Sequence, residues 1–382
     1  MQALNTPEAK ASPGLTTLRG CIVCGGDLVH CLRLGDQYLT DFVDSPSKNH
    51  PKAPLNLLLC TKCWLTQLEQ VVDRDALFRN YHYLSGINAG MRTHLSLLAG
   101  EMRKRIRARS GFYVVDIGAN DGTLLDNFQD AELRLGFEPA HNCGGNYEKV
   151  EEYFSKEGYY GKTAEKADAI ASCAVFYDLM EPTKFAQDIA QVLARNGFWV
   201  CEMNYLGSML KNNAFDFIGH EHVAMYSLWA FQKAVEPAGL EVFDVSLNEI
   251  NGGSARYWVG HMGQHEVQSS VRKLASKESH WCNRPTFDSF QDNAARGASV
   301  LGELVRSRVN AGKSVWVKGA STRGMTLLQA AHLDSSWIEA ACDANPLKHG
   351  KYMAGLNIPV RSNEEMRRRR PDLLVILPWG FA

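Results

Sequence analysis

At 382 residues the chain has the length of two or three domains with ordinary buried cores. A formal net charge of −1 excludes the strongly basic surface expected of a nucleic-acid or anionic-membrane binder, and no apolar run reaches membrane-spanning length. The polar opening stretch, Met1–Leu18, lacks a signal-peptide core, so the expectation is a cytoplasmic protein with neither nucleic acid nor membrane as partner.

Ten cysteines are too few for a disulfide scaffold in a chain this long. Their spacing is informative nonetheless. Cys21-x-x-Cys24 and Cys60-x-x-Cys63 are two matched knuckles about 35 residues apart, a ribbon pattern that offers Zn²⁺ four thiolates. A redox pair or reduced core cysteines would not explain the repetition. A closed Cys₄ shell keeps no open position, so this zinc is expected to be structural. Cys31, Cys143, Cys173, Cys201, Cys282 and Cys342 are scattered and read as packing.

From Asp75 to Arg109 the pattern is helical. Tyr81 and Tyr83, with Ser85-Gly86 behind them, suggest an extended segment or turn, followed by a helix with Met91, His94 and Leu98 on neighbouring turns. These rings suit interdomain packing or a pocket lid equally well. The next stretch, Tyr113–Leu125, reads as strand, tight loop and helix: β-favouring residues run into Asp116, a Gly118-x-x-x-Gly122 turn follows, and Leu124-Leu125 opens the next segment. A dinucleotide fingerprint needs Gly-x-Gly-x-x-Gly, which is absent, and Asp116 would repel a pyrophosphate. It suits a ligand with a cationic part.

The strand Leu133–Phe137 ends at Glu138, placed to accept from both ribose hydroxyls of an adenosine. Asp116, Gly118, Gly122 and Glu138, in this order, resemble the S-adenosylmethionine (SAM) site of Rossmann-like methyltransferases; Asn120 and Pro139 fall within the same site. Further on, Ala167–Tyr177 reads as a buried strand and its exit, Pro182–Leu193 as a helix, Asn196-Gly197 as a turn and Phe198–Met203 as a strand. Such alternation implies a mostly parallel doubly wound α/β sheet with ligands at the carboxyl ends of its strands. Tyr177, Asp178, Glu202, Asn204 and Tyr205 lie at those ends and should face one crevice.

The segment His220-Glu221-His222 places three titratable groups side by side, which is costly unless they do a job or face water. On an extended chain His220 and His222 share a face that Glu221 does not, and no further ligand follows at a zinc-like interval, so a metal site is disfavoured. The chemistry that fits is acid–base work by His222, oriented or tuned by Glu221. After it, Asn251-Gly252-Gly253-Ser254 with Arg256 breaks a strand and exposes backbone donors, and Val267–Asn310 is a charged helical stretch. A second strand–loop–helix follows, Ser314–Gly324 then Met325–Ala331, in which Ser321, Thr322 and Arg323 offer hydroxyls, a fixed charge and a helix N-terminus to diphosphate oxygens. Ile338–Asp343 and Leu373–Leu377 read as further strands, and Arg367–Arg370 as a solvated helix end.

Taken in order, Cys21–Cys63, Tyr81-x-Tyr83-x-Ser85-Gly86, Asp116–Gly122, Glu138-Pro139, His220–His222, Asn251–Ser254 and Gly319–Gly324 resemble the nucleotide-sugar C-methyltransferases through almost the whole chain. That resemblance implies a zinc module (15–75), a SAM-dependent methyltransferase domain (76–260) and a C-terminal Rossmann-like domain (261–382) that helps to hold the sugar nucleotide and whose last element is cut short. It implies SAM and Zn²⁺ as cofactors, a nucleotide diphosphate sugar as small-molecule substrate, and His222 as the base with Glu221 before it, His220 being the alternative. Tyr81, Tyr83, Ser85, Asp178, Tyr205, Asn251, Gly253, Ser254, Arg256, Ser321, Thr322 and Arg323 would line the acceptor. The chain departs from the family at Gly219, often a tyrosine, at Asp178, where a related enzyme has histidine, and at Met325, usually asparagine. O-methylation, methylation of a non-sugar acceptor, or sugar-nucleotide binding without turnover are the rival functions; the SAM-site residues argue against the last. The oligomeric state is left open.

Overall fold

A computed structural model describes residues 14–47, 49–79, 83–106 and 111–377. Tyr81 and the closing stretch 378–382 lie outside the described residues.

The central layer is a seven-stranded sheet in the order Leu240–Asn248, Ser254–His261, Leu193–Asn204, Ala167–Cys173, Tyr113–Ile117, Leu133–Phe137, Glu148–Val150. All its strands run parallel except Ser254–His261, which is antiparallel to both neighbours. Strand Ala167–Cys173 is buried almost throughout, as a strand covered on both faces must be. Helix Pro182–Val192 starts on its proline and buries Phe185, Ile189 and Val192 at helical spacing, so one stripe of it closes a face of the sheet. On helix Ala89–Arg105, Asn88 caps the N-terminus by accepting from Gly90 N and Met91 N, and Arg103, Lys104 and Arg105 complement the dipole at the other end. The result is a Rossmann-like, mostly parallel α/β sheet.

Besides a two-stranded ribbon of Leu15–Thr17 and Gln70–Val72, two smaller sheets flank it. The cysteine knuckles sit on an antiparallel sheet of Leu28–Tyr38, Lys52–Cys60 and Thr66–Leu68, completed by Ala224–Met225 from far down the chain. The C-terminal sheet is Leu373–Ile376, Val315–Lys318, Ala340–Asp343, Ile358–Ser362 and Tyr352–Met353, completed by Phe42–Val43 from the N-terminal part. Each flanking sheet thus borrows a strand from another part of the chain.

Several expected elements take a different form. The helical stretch from Asp75 to Arg109 is a short helix Arg74–Phe78, a turn Ser85–Ile87 and the helix Ala89–Arg105. No full helix follows the glycine loop, only the 3₁₀ turn Leu125–Asn127. There Asp121 Oδ1 accepts from Thr123 N and Oγ1, and Asn127 Nδ2 donates to Thr123 O and Leu124 O, so side chains take up backbone groups that a helix would use. Asn196-Gly197 does not interrupt its strand but lies within Leu193–Asn204, beside a register shift between Ala167 and Ala169. The stretch Val267–Asn310 is two helices, Ser269–Glu278 and Arg284–Asn310, because Asn283 accepts from Thr286 N and Pro285 begins a new helix. Among the described residues no helix is long and apolar enough to cross a membrane.

Candidate active site

The four knuckle sulfurs converge. Sγ of Cys21 lies 3.5 Å from that of Cys63, Sγ of Cys24 lies 3.4 Å from that of Cys60, and all four fall within 4.8 Å of one another. Tetrahedral Zn–S bonds of about 2.3 Å would place the sulfurs roughly 3.8 Å apart, so the cluster fits one zinc ion with little movement. Lys62 N and Cys63 N both donate to Cys60 Sγ, as backbone amides do to a thiolate at a knuckle. A Cβ on Gly26 would come within 3.3 Å of Cys24 Sγ and 3.2 Å of Cys60 Sγ, so a side chain there would crowd the cluster. The shell is complete without substrate, and the zinc is structural.

A cavity of about 1150 Å³ opens at the carboxyl ends of the central strands, walled also by Leu15, Thr16, Val71 and Val72 and by Phe42, Ser321–Arg323 and Lys348. That exceeds the roughly 300–1,000 Å³ of a site for one small ligand and leaves room for a methyl donor beside an acceptor.

At one end of the cavity lie Asp116, on strand Tyr113–Ile117, and Glu138, just beyond the adjacent parallel strand Leu133–Phe137. Glu138 Oε2 accepts from Asn120 N at 2.8 Å and Oε1 from Ala140 N at 2.8 Å, which fixes the carboxylate and leaves lone pairs for a ligand's hydroxyls. Gly118 adopts φ +75°, and a Cβ there would strike Val175 Cγ2 at 2.6 Å. Asn120, itself at φ +51°, accepts from Ser85 N and donates to Tyr83 O, so it ties the loop to the segment before the helix. Burial raises the pKa of Asp116 well above the usual carboxylate range, with Glu138 adding to it, and burial raises Glu138 too. Two buried carboxyls facing a cavity suit a ligand with hydroxyls and a positive charge, which SAM combines. Pro139 lines the cavity as well, whereas Gly122 faces Tyr147, whose ring a Cβ would meet at 2.7 Å.

At the other end His220, Glu221 and His222 all line the cavity, because the chain turns at this point, His222 N donating to Gly219 O at 3.0 Å. The expected separation of Glu221 from the histidines is therefore absent. His222 Nδ1 donates to Phe217 O at 2.6 Å, its ring stacks on Phe217 with centroids 4.3 Å apart, and Tyr177 meets it edge-on at 4.7 Å. A backbone carbonyl only accepts, so the proton is on Nδ1 and Nε2 carries the lone pair, 3.7 Å from Glu221 Oε1. Burial lowers the His222 pKa to about 4 and raises that of Glu221 to about 7, the latter opposed by the Thr322 hydroxyl. His220 donates Nε2–H to Ala53 O at 3.0 Å, and burial lowers its pKa also. A neutral imidazole and a carboxyl poised near neutrality thus share one wall.

The expected acceptor residues divide. Tyr83, Ser85, Asp178, Asn251, Ser254, Ser321, Thr322 and Arg323 line the cavity. Tyr205 does not face the crevice: its hydroxyl donates to Glu278 at 2.9 Å, close to Trp281. Arg256 stands behind the wall, ion-paired with Glu202 at 2.7 Å and Glu101 at 2.8 Å. Gly253, at φ +122°, abuts Ser208. Ser321 caps its helix through Gly324 N, and Arg323 pairs with Asp216 at 2.7 Å and donates to Asn251 O at 2.6 Å, so these groups join the C-terminal sheet to the methyltransferase core. Glu202, expected at the crevice, does line the cavity and is held by His94, whereas Asp216 and Lys348 are groups near it that sequence reasoning did not assign. Asp216 is placed by Arg323, 107 residues away, and Lys348 by Ala320 O, 28 residues away, and no local spacing marks either.

Family profiles match three stretches: a zinc binding domain over 21–78, a methyltransferase domain over 73–245 and a C-methyltransferase C-terminal domain over 249–382. The C-methyltransferase NovU of Streptomyces niveus is 32% identical over 345 residues, covering 86% of this chain and 81% of that protein. Among solved structures, a SAM-dependent methyltransferase from Clostridium acetobutylicum is similar with TM-score 0.35 and 10% identity, over 45% of this chain and 92% of that one. Magnesium protoporphyrin IX methyltransferase from Synechocystis, with bound SAM, gives TM-score 0.34 and 10% identity over 45% and 80%.

Proposed function

We propose, from the premise that this chain belongs to the family of SAM-dependent C-methyltransferases, that its acceptor is a keto nucleotide sugar methylated at the carbon next to the ketone. The observation that carries the reading is the neutral His222, its Nδ1 held by Phe217 O and its Nε2 lone pair left for the cavity beside Glu221. Bound SAM supplies an electrophilic methyl on sulfur. The chain's own residues must make the nucleophile, and a carbon acceptor needs a base where an oxygen acceptor needs only a polarised hydroxyl. In this reading His222 takes the proton next to the ketone, Glu221 orients it, and His220 holds the loop through Ala53 O.

A cavity with room for two ligands supports a sugar nucleotide beside the donor, with Tyr83, Ser85, Asn251, Ser254, Ser321 and Thr322 as its contacts. Arg323 is kept near these by Asp216. The domain limits 15–75, 76–260 and 261–382 and a cytoplasmic setting belong to the same reading. Solvent-deuterium exchange tests it. Wild type should exchange the proton next to the ketone, and His222→Gln should bind S-adenosylhomocysteine and sugar nucleotide normally without exchanging. Exchange that survives in His222→Gln and disappears in His220→Gln would move the base to His220. Survival in both would remove this loop from the chemistry.

A further inference from the structure

Asp178 ends the turn Phe176–Asp178 beyond strand Ala167–Cys173, next to the Tyr177 ring that meets His222. It lines the cavity, and its Oδ1 is buried with no hydrogen-bond partner. Three other carboxyls of this region are differently placed. Glu202 is held by His94 and Arg256, Asp216 by Arg323, and Glu138 by two backbone N–H groups. For Asp178 the neighbouring charge is Glu221, a second carboxyl. An ionised carboxylate there would be buried, unpaired and beside a like charge, each of which is unfavourable. Burial, then Glu221, raises its pKa well above the usual range, which favours the protonated acid. A carboxylic acid donates a hydrogen bond, which a carboxylate cannot.

We infer that Asp178 is a catalytic residue that donates, as a neutral acid, to the ketone oxygen of the acceptor and to the enolate oxygen that forms from it. The inference rests on the keto-sugar reading above. When the base removes the proton next to the ketone, the C–H pair becomes the new C=C bond and the C=O pair moves onto oxygen. Charge grows where Asp178 points its O–H, so the bond strengthens on the way to the enolate. The carbon then forms its bond to the methyl, the S–CH₃ pair goes to sulfur, the ketone is restored, and Asp178 retains its proton throughout. The base carries away the only proton transferred.

The test uses the zinc-loaded full chain with S-adenosylhomocysteine and 4-keto-6-deoxyhexose nucleotides of thymidine, uridine, guanosine and cytidine diphosphate. Deuterium uptake next to the ketone is followed by NMR, and kcat and KM are measured with SAM. Removing a donor to a developing oxyanion costs about 10²–10³-fold, so Asp178→Ala should slow exchange and kcat by that factor with KM changed far less. Asp178→Asn, which keeps a donor, should recover most of the loss. Unchanged S-adenosylhomocysteine affinity in both variants shows that each has folded. Wild-type exchange in Asp178→Ala overturns the inference, as does Asp178→Asn being no faster than Asp178→Ala, which would make the ionised form the working one. Either result leaves the keto-sugar reading standing. If wild type exchanges no proton on any of the four sugars, that reading falls and the role of Asp178 falls with it.

Discussion

Glu221 and His222 are adjacent in the chain, and the same burial moves them in opposite directions. Glu221 rises from 4.5 to about 7, so between those values the folded protein holds a proton that the unfolded chain has lost, and stability falls as pH rises through that window. His222 drops from 6.5 to about 4, so between those values the unfolded chain holds the extra proton, and stability rises with pH. The trends oppose each other in the acid range, and above it only the loss from Glu221 remains. Glu221→Gln should therefore be more stable than wild type near about pH 8, by up to about 3 kcal/mol, and lose that advantage near about pH 4. Urea unfolding across this range checks it; a gap that does not close at low pH would refute the assignment. At the donor end, Glu138→Ala should weaken S-adenosylhomocysteine binding by about 1.5–3 kcal/mol, since hydrogen bonds to a charged acceptor are lost. Calorimetry giving wild-type affinity would remove Glu138 from the site. The placement of Asp116 and Glu138 at the ends of adjacent strands was legible, because strand ends are set by local pattern. The packing of Gly122 on Tyr147 and of Tyr205 on Glu278 was not, because no spacing reveals such partners.

At the level of elements, the loop before helix Thr322–Ala330 shows why a motif can be legible while its contacts are not. Small hydroxylated residues and an arginine at a helix start look like a diphosphate cradle from sequence alone. In the fold, Ser321 caps the helix, Thr322 bears on Glu221, and Arg323 pairs with the buried Asp216 from more than a hundred residues away. The helix is thereby coupled to the His220–His222 loop, a link strengthened where Thr326 Oγ1 donates to Ile218 O at 2.9 Å. Removing one partner of a buried ion pair leaves an uncompensated charge, so Arg323→Met should cost about 3–5 kcal/mol. Adding Asp216→Asn should recover part of that loss. A double-mutant cycle by urea denaturation measures the coupling, and additive losses would mean that the pair does not hold the elements together. The glycine loop makes the same point in reverse, since the apolar Leu124-Leu125 pair suggests a helix that the Asp121 and Asn127 side chains replace with a turn.

On the scale of the whole molecule, the parts are not beads on a string. Phe42–Val43 completes the C-terminal sheet and Ala224–Met225 completes the zinc-bearing sheet, so both flanking sheets depend on strands supplied from elsewhere. Consecutive domains are what a linear reading of composition gives, because strand exchange leaves no local mark. The exchange links the four-cysteine cluster to the position of the His220–His222 loop. Cys60 ends strand Lys52–Cys60, whose Ala53 carbonyl holds His220, and this strand pairs with Thr66–Leu68, which in turn pairs with Ala224–Met225 just beyond His222. Asp116 and Glu138 belong instead to the central sheet, whose strands pair with one another and not with the zinc-bearing sheet. Structural zinc contributes on the order of 10–16 kcal/mol to folding such a module, so losing it should unfold the flanking sheet and release the loop while sparing the donor end. Cys60→Ser should thus lose metal and methyl transfer together, with S-adenosylhomocysteine affinity within about threefold of wild type, a difference under about 1 kcal/mol. Metal analysis, calorimetry and turnover on one preparation decide the matter. Full turnover in a zinc-free variant would break the link between metal and loop, and donor affinity lost along with the metal would show that the central sheet cannot stand without its neighbour.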